Sequence, residues 1–459
     1  MSDAALPHTI QDILMYMDRH QMNKIKVAVA DIDGILRGKY IHKDKLKSAL
    51  ESGMGFCSVV FGWDSGDVCY SEGKFAGWHN GYPDSDVQLD PMSFRLIPWE
   101  NNQPFLLGHF GTAEGKPMPL CPRQLVRKIQ AKATSLGFQA LAGMEFEWFN
   151  FKETSQTLQD KGFHQPEPIT PGMFGYSLLR SGQNRDFMTA IMDELLAFNV
   201  PVEGLHTETG PGVYEAALTY TEMLEAADRA TLFKSSVKEI GHRFGIMPSF
   251  MARWNTSLPG CSGHIHQSLK RLDTGENAFY GEGQEHSMSE TFKSYVAGQL
   301  LCLPELLPMF APTVNSYKRL VEGFWAPTRV TWGIDNRTTA LRVIPGSPKS
   351  TRLETRVAGA DVNPYLVVAA SIAAGLYGIE KGLTLNDAPV LSNGYESKEA
   401  KRLPASLIDA AQAMHDSKIA RELFGNEFVD HFTYTRQWEW QESQKAVTDW
   451  ELKRYFEII

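Results

Sequence analysis

Five arginines crowd one stretch past the middle of the chain: Arg319, Arg337, Arg342, Arg352 and Arg356. The last two flank Glu354 in RLETR. Read as a strand, this segment puts Arg352, Glu354 and Arg356 on one face, because strand side chains alternate. Such a face suits a core only if its charges meet opposite charges. Guanidinium forks match phosphate and carboxylate oxygens, so the site they form would bind anions. Upstream stand Glu145 and Glu147 in MEFEWF, Glu208 and Glu215 in HTETGPGVYE, and His264 and His266 in SGHIH. Each pair alone reads as easily as a solvated or structural strand face. Together with Glu354 they would line one channel with carboxylates and two imidazoles. Oxygen-rich donor sets suit Mg²⁺ or Mn²⁺, whereas zinc wants more His or Cys at closer spacing. The set points to a metal–nucleotide enzyme acting on a carboxylate.

These residues need elements to hold them. Residues 8–22 carry Ile10, Ile13, Leu14 and Met17 at helical spacing. IKVAVADIDGILRGKYI reads as strand, turn at Gly34, strand. Residues 55–110 look like strands and long loops. EGKPMPLCP, residues 114–122, is a turn-rich linker, so the expected domains are 1–117 and 118–459. Beyond it, CPRQLVRKIQAKATSLGF predicts a helix ending near Gly137, and LAGMEFEWFNF a strand. RDFMTAIMDELLAFN predicts a helix, and VEGLHTETGPGVYEAAL two strands about a GPG turn. TEMLEAADRATLFKSSVKEIGHRFG predicts a long helix, followed by the SGHIHQSL strand. Helical 287–308, arginine-bearing strands over 328–357 and a helical close from about 361 complete the chain. This is α with mixed β, not a run of βαβ units.

A chain of 459 residues exceeds one simple core, which favours two domains. A hydrophobic share of 43% with 22% charge is ordinary for a globular protein, and a net charge of −9 argues against a nucleic-acid backbone partner. The 5 cysteines are scattered without a CxxC pair, which favours reduced thiols and a cytoplasmic setting. The opening MSDAALPHTIQDI lacks a signal-peptide pattern, and Pro and Glu interrupt the longest apolar runs, so no membrane span is expected.

The order GMEFEWF, HTETGPGVYE, SGHIHQSL, APTVNSYKRLVEG, WAPTRVTWGIDNRTTALRV and RLETRVAGADVNPYL resembles the glutamine synthetase family over essentially the whole chain. The resemblance implies an α+β fold: a small β-grasp N-terminal domain and a large catalytic domain with a mixed, mainly antiparallel sheet. It implies two or three divalent ions per site, in a funnel between ATP and glutamate. Glu147, Glu208 and Glu215 resemble the ligands of the inner ion, and Glu145, His264 and Glu354 those of the nucleotide-side ion. Arg319 and Arg356 resemble the glutamate-holding arginines, with Gly260 in the glycine-rich loop near the amino acid. Arg337 and Arg342 match arginines facing the transferred phosphoryl group; His266, Ser268 and Arg352 fall on the ATP side. Asp31 matches an aspartate that reaches into a neighbouring subunit's site, with Asp64 nearby. The implied assembly is a dodecamer of two stacked hexamers, with KRYFEII docking on the opposite ring.

The chain also departs from that pattern. Ammonia-using members carry a flap glutamate just before the AP that follows NSYKRL; here NSYKRLVEGFWAP puts Trp325 there. An indole cannot accept a proton, but it can cover an alkyl group and attract a cation. WAP resembles the γ-glutamyl-amine ligase branch, which includes glutamate–isopropylamine ligase and γ-glutamylputrescine synthetase. The implied activity joins glutamate to a small primary alkylamine through a γ-glutamyl phosphate. The alternatives are a γ-glutamylputrescine or γ-glutamylanilide synthetase, an ordinary glutamine synthetase, and a non-catalytic pseudo-ligase. Trp325 also reads as mere packing of a shorter flap. Val213–Tyr214 and Pro259 replace a usual glutamine and asparagine on the amino-acid side. DIDGIL separately resembles the DxDGT motif of haloacid-dehalogenase phosphatases, with Asp31 as nucleophile and Asp33 as acid, although position 35 is Ile.

Overall fold

The computed structural model describes residues 7–112 and 114–459. The first six residues of the segment read for a leader lie outside the described residues.

The N-terminal sheet has strands β1 (Lys24–Ala30), β2 (Leu36–His42), β3 (Met54–Cys57), β4 (Asp84–Leu89), β5 (Arg95–Ile97) and β6 (Gln103–Phe110). Its order is β2-β1-β6-β4-β3, with β5 on β6. β1 and β2 form an antiparallel hairpin, and β6 returns parallel to β1. The hairpin turns through Gly34 at φ +81°, where a Cβ would also meet the Cα of Asn363 at 3.0 Å. The helix Lys43–Ser52 packs on β1, β2 and β4 and buries Leu46, Ala49 and Leu50. The preceding helix, Ile10–Arg19, is capped by Thr9 and buries Ile13 and Met17, one turn apart. A hairpin with a grasping helix is not the parallel α/β alternation that the phosphatase reading requires, so that reading falls.

The second sheet comprises β7 (Phe138–Phe151), β8 (Val202–Thr207), β9 (Val213–Leu218), β10 (Thr221–Glu222), β11 (Met247–Ser249), β12 (Gly263–Arg271), β13 (Trp332–Ile334), β14 (Leu341–Ile344) and β15 (Arg352–Thr355). Its order is β13-β14-β15-β12-β7-β9-β8, with β10 and β11 also on β7. The β13–β14 pair is parallel and the rest antiparallel, as the mixed, mainly antiparallel expectation requires. The helix Pro364–Glu380 is apolar on nearly every side and almost wholly buried. It packs on the helices Pro122–Ser135, Met223–Arg243 and Glu290–Leu306. A Cβ on Gly298 would meet the carbonyl oxygen of Ala374 at 2.3 Å, so only glycine permits that close approach. No helix among the described residues is long and apolar enough to cross a membrane. All five cysteines are free thiols.

Charged groups lock the two sheets' layers together. Arg123 donates to both oxygens of Asp228 at 2.9 and 2.8 Å and to Asp90 at 2.7 Å, all well buried. The C-terminal helix Asn426–Gln444 supplies Arg436, which donates to Asp33 at 2.5 Å. Asn363 Nδ2 donates to the carbonyl of Ile32 at 3.0 Å.

Candidate active site

Strand register assembles the polar face. On β7 and β9, Glu147 lies opposite Glu215; on β12 and β7, His264 lies opposite Glu145. On β12 and β15, His266 faces Glu354, and on β14 and β15, Arg342 faces Glu354. Cross-strand neighbours of this kind stand close enough for side chains to touch. His264 Nδ1 is 3.2 Å from Glu145 Oε1 and 3.3 Å from Glu354 Oε1. His266 Nε2 is 3.4 Å from Glu145 Oε2, and its Nδ1 accepts from Arg352 Nε at 3.2 Å. A cavity of about 360 Å³ lined by His266, Ser268, Arg352, Tyr220 and Lys349 opens beside them.

Glu354 is 1% exposed and sits between two guanidinium groups. Arg342 donates to it at 2.9 Å, and Arg356 donates to its other oxygen. Burial opposes ionisation of Glu354, but the charges of His264 and Arg356 bring its carboxyl down to about 2. Burial and Arg356 push the His264 imidazole down to about 4, so it is neutral at pH 7. Its buried Nε2 has no hydrogen-bond partner. Glu147 behaves oppositely: burial, then the charge of Glu215, raises it to about 8. The backbone N–H of Ser262 donates to Glu147 at 3.0 Å.

The arginines divide by what they touch. Arg319 is 2% exposed and donates to the carbonyl of Val357 at 2.9 Å and to Ser262 Oγ at 2.7 Å. A Cβ at Gly260 would meet the carbonyl of Ala252 at 2.3 Å and Arg319 Cγ at 2.9 Å, so this loop needs glycine to lie against Arg319. Arg356 Nε holds the carbonyl of Arg337 at 3.0 Å. The Arg337 side chain is exposed and makes no hydrogen bond or ion pair among the described residues. Arg342 also donates to Asp335 at 2.5 Å.

The amine-side residues are not brought to this cluster. Asp31 is 2% exposed. Its Oδ1 accepts the N–H groups of Asp33 and Ile35 at 3.0 and 2.9 Å, and its Oδ2 accepts Arg37 Nε at 2.9 Å. Burial, then Asp33, raises its carboxyl to about 7. Asp64 accepts Trp438 Nε1 at 2.9 Å. No hydrogen bond or ion pair among the described residues links either aspartate to the carboxylate–imidazole cluster. Trp325 is 57% exposed at φ 58°, a left-handed backbone that costs an aromatic residue about 1–2 kcal/mol. Within the single chain the indole stands largely open.

Sequence reasoning missed several groups that the structure places here. His206 Nε2 is 3.1 Å from Glu215, and its Nδ1 is 3.8 Å from Glu208. Burial works against its charge, but Glu215 and the carbonyl of Thr207 raise it to about 8. Tyr176 stacks on His206 with ring centroids 4.3 Å apart. Only the HTE spelling of a quoted motif hinted at His206, and Tyr176 lies in an aperiodic loop.

Two groups of donors could each hold a cation: Glu145, His266 and Glu354, and His206, Glu208 and Glu215, with ligand atoms inside 4.8 Å. Half-buried carboxylates facing each other across β7 and β9, and the unpartnered His264 Nε2, fit hard divalent ions.

Comparison with known proteins shows the family. The glutamine synthetase catalytic domain matches residues 119–455. Type-1 glutamine synthetase 2 of Dictyostelium discoideum is 54% identical over 95% of this chain and 84% of its own length. Glutamate–isopropylamine ligase of a Pseudomonas species is 35% identical over 97% of each chain. The γ-glutamylethanolamide synthetase GlnA4 of Streptomyces coelicolor is 34% identical over 100% of this chain and 97% of its own. The solved GmaS/ADP complex superposes with TM-score 0.85 at 26% identity, over 97% of this chain and 99% of that one. The chain therefore belongs to the glutamine synthetase family of ATP-dependent ligases.

Proposed function

We propose that this ligase joins the γ-carboxylate of glutamate to a small primary alkylamine, giving a γ-glutamylamide, ADP and phosphate through a γ-glutamyl phosphate. The observation that carries the reading is Trp325: a half-exposed indole at the flap position where ammonia-using relatives of the pattern place a carboxylate. It offers an apolar and cation-attracting face and no base. The likeness to an isopropylamine ligase over nearly the full chain supports it.

In this reading Glu147, Glu208 and Glu215 hold one Mg²⁺ or Mn²⁺, and Glu145, His264 and Glu354 another, with His206 and His266 alongside. Bound there, the ions would neutralise phosphoryl charge as ATP activates the carboxylate. Arg337 and Arg342 would meet the transferred group. Arg319, Arg356 and Gly260 hold glutamate, and His266, Ser268 and Arg352 hold the nucleotide. Most of an alkylamine, with a pKa about that of Lys at 10.4, arrives protonated, so a base must act. Asp31 takes that part, with Asp64 and Trp325, across a subunit boundary of a cytoplasmic dodecamer. That boundary accounts for their separation from the cluster within one chain.

A second reading, ordinary glutamine synthetase using ammonia, is favoured by the 54% identity to a protein of that name. Steady-state comparison of ammonia with isopropylamine, ethanolamine, 1,4-diaminobutane and aniline separates them. The alkylamine reading expects kcat/KM at least about tenfold above that for ammonia, roughly 1.4 kcal/mol. A preference for ammonia overturns it in favour of the second.

A further inference from the structure

Away from the carboxylate–imidazole face lies a cavity of about 430 Å³ that the reaction does not use. It sits where three parts of the chain meet: the N-terminal loop at Glu72–Phe75, the linker at Pro119–Leu120, and the C-terminal helix Asn426–Gln444. Its size falls in the range of small-molecule sites.

Its walls combine three features. His431 lines it and is 8% exposed, yet its Nε2 has no hydrogen-bond partner. A buried polar atom left unpaired costs about 1–3 kcal/mol, so a partner for it is missing. Glu72, Glu427 and Asp430 line the same space, with Lys74 and His415 as the basic groups there. Asp430 is paired with Arg421 at 2.8 Å, whereas Glu72 and Glu427 have no cation within salt-bridge reach among the described residues. Aromatic rings of Phe75 and Tyr434 add π faces that attract organic cations.

We infer that this cavity binds a small organic cation carrying two ammonium groups. The carboxylates come from two elements, Glu72 from the N-terminal loop and Glu427 from the C-terminal helix, so a short diamine can pair with both. The Tyr434 hydroxyl already accepts the backbone N–H of Glu72 at 3.1 Å, tying loop to helix beside the site. A bound diamine would brace the same junction.

Equilibrium dialysis of the full-length protein against labelled 1,4-diaminobutane, without ATP or glutamate, tests the site. One diamine per chain is expected. The exposed pair Glu427→Gln with Asp430→Asn lowers the affinity at least tenfold. Trp325→Ala, in the flap, leaves it unchanged, and His431→Phe, which removes the unpaired ring nitrogen, lowers it. Should His431→Phe fail to fold, the surface pair alone decides. Absence of saturable binding overturns the inference. So does binding that survives the surface pair, binding lost with Trp325→Ala instead, or equal competition by uncharged 1,4-butanediol. The measurement needs no turnover, so it stands whether or not the alkylamine reading holds.

Discussion

Replacing Trp325 with alanine separates an amine-selecting flap from an ornamental one. A tryptophan offers up to about 250 Å², and 57% of this one is open. Roughly 140 Å² of indole therefore stands free. A propyl-sized group covering half of it removes about 70 Å² of apolar surface from water, worth about 1.8 kcal/mol. That converts to about a 20-fold gain in kcat/KM for isopropylamine, with no counterpart for ammonia. Steady-state assay of phosphate release with each amine should find that Trp325→Ala loses about this factor with isopropylamine and less than about twofold with ammonia. Trp325→Gly should match that loss. It should also raise the urea midpoint, because glycine removes the left-handed strain at φ 58°. Trp325→Glu should shift preference towards ammonia by restoring a carboxylate. Equal losses for both amines in Trp325→Ala, or a wild-type preference for ammonia, would refute the reasoning.

Other expectations follow from buried charge. Glu147→Ala should abolish amide synthesis while circular dichroism stays native, since it removes a donor to a divalent ion; near-normal turnover of the purified variant contradicts the assignment. Asp31 is raised to about 7, so as a base it works only when deprotonated, and kcat/KM should rise with pH through that value. For stability the sign is opposite: folded Asp31 binds more protons than the unfolded chain between about 4 and 7, so stability falls as pH rises across that window. Asp31→Asn should flatten the fall, which urea titrations at several pH values measure. Asp228→Ala leaves the buried Arg123 guanidinium with Asp90 as its one carboxylate, and should cost about 3 kcal/mol in chemical denaturation.

Much of the polar face was legible because it lies on strands, where spacing of two puts Glu145 with Glu147 and His264 with His266 on shared sides. The helix and strand assignments around them held for the same reason, since period is a local property. What spacing cannot supply is register. That Glu145 meets His264, 119 residues away, depends on which strands pair and in what phase. The approach of Arg342 to Glu354 and that of His206 to Glu215 are likewise register facts. Over 328–357 only three short strands form, and irregular chain separates the helix at Glu380 from the next at Leu407, where a longer helical close was expected. Residues 381–406 are polar, rich in turn formers and largely exposed, which ends the helix.

The Asp33–Arg436 pair spans 403 residues. A ribosome adding about 5–20 residues each second needs roughly 20–80 s to cover that distance. For all of that time the N-terminal hairpin exists without the helix that covers its turn. Its turn aspartate stays hydrated, although β2, β6 and the helix Lys43–Ser52 have already covered its strands. Nascent chains therefore carry that turn uncovered until the helix Asn426–Gln444 emerges. A chain stopped before the helix Asn426–Gln444 would lack the closing contact of an N-terminal sheet synthesised in full long before.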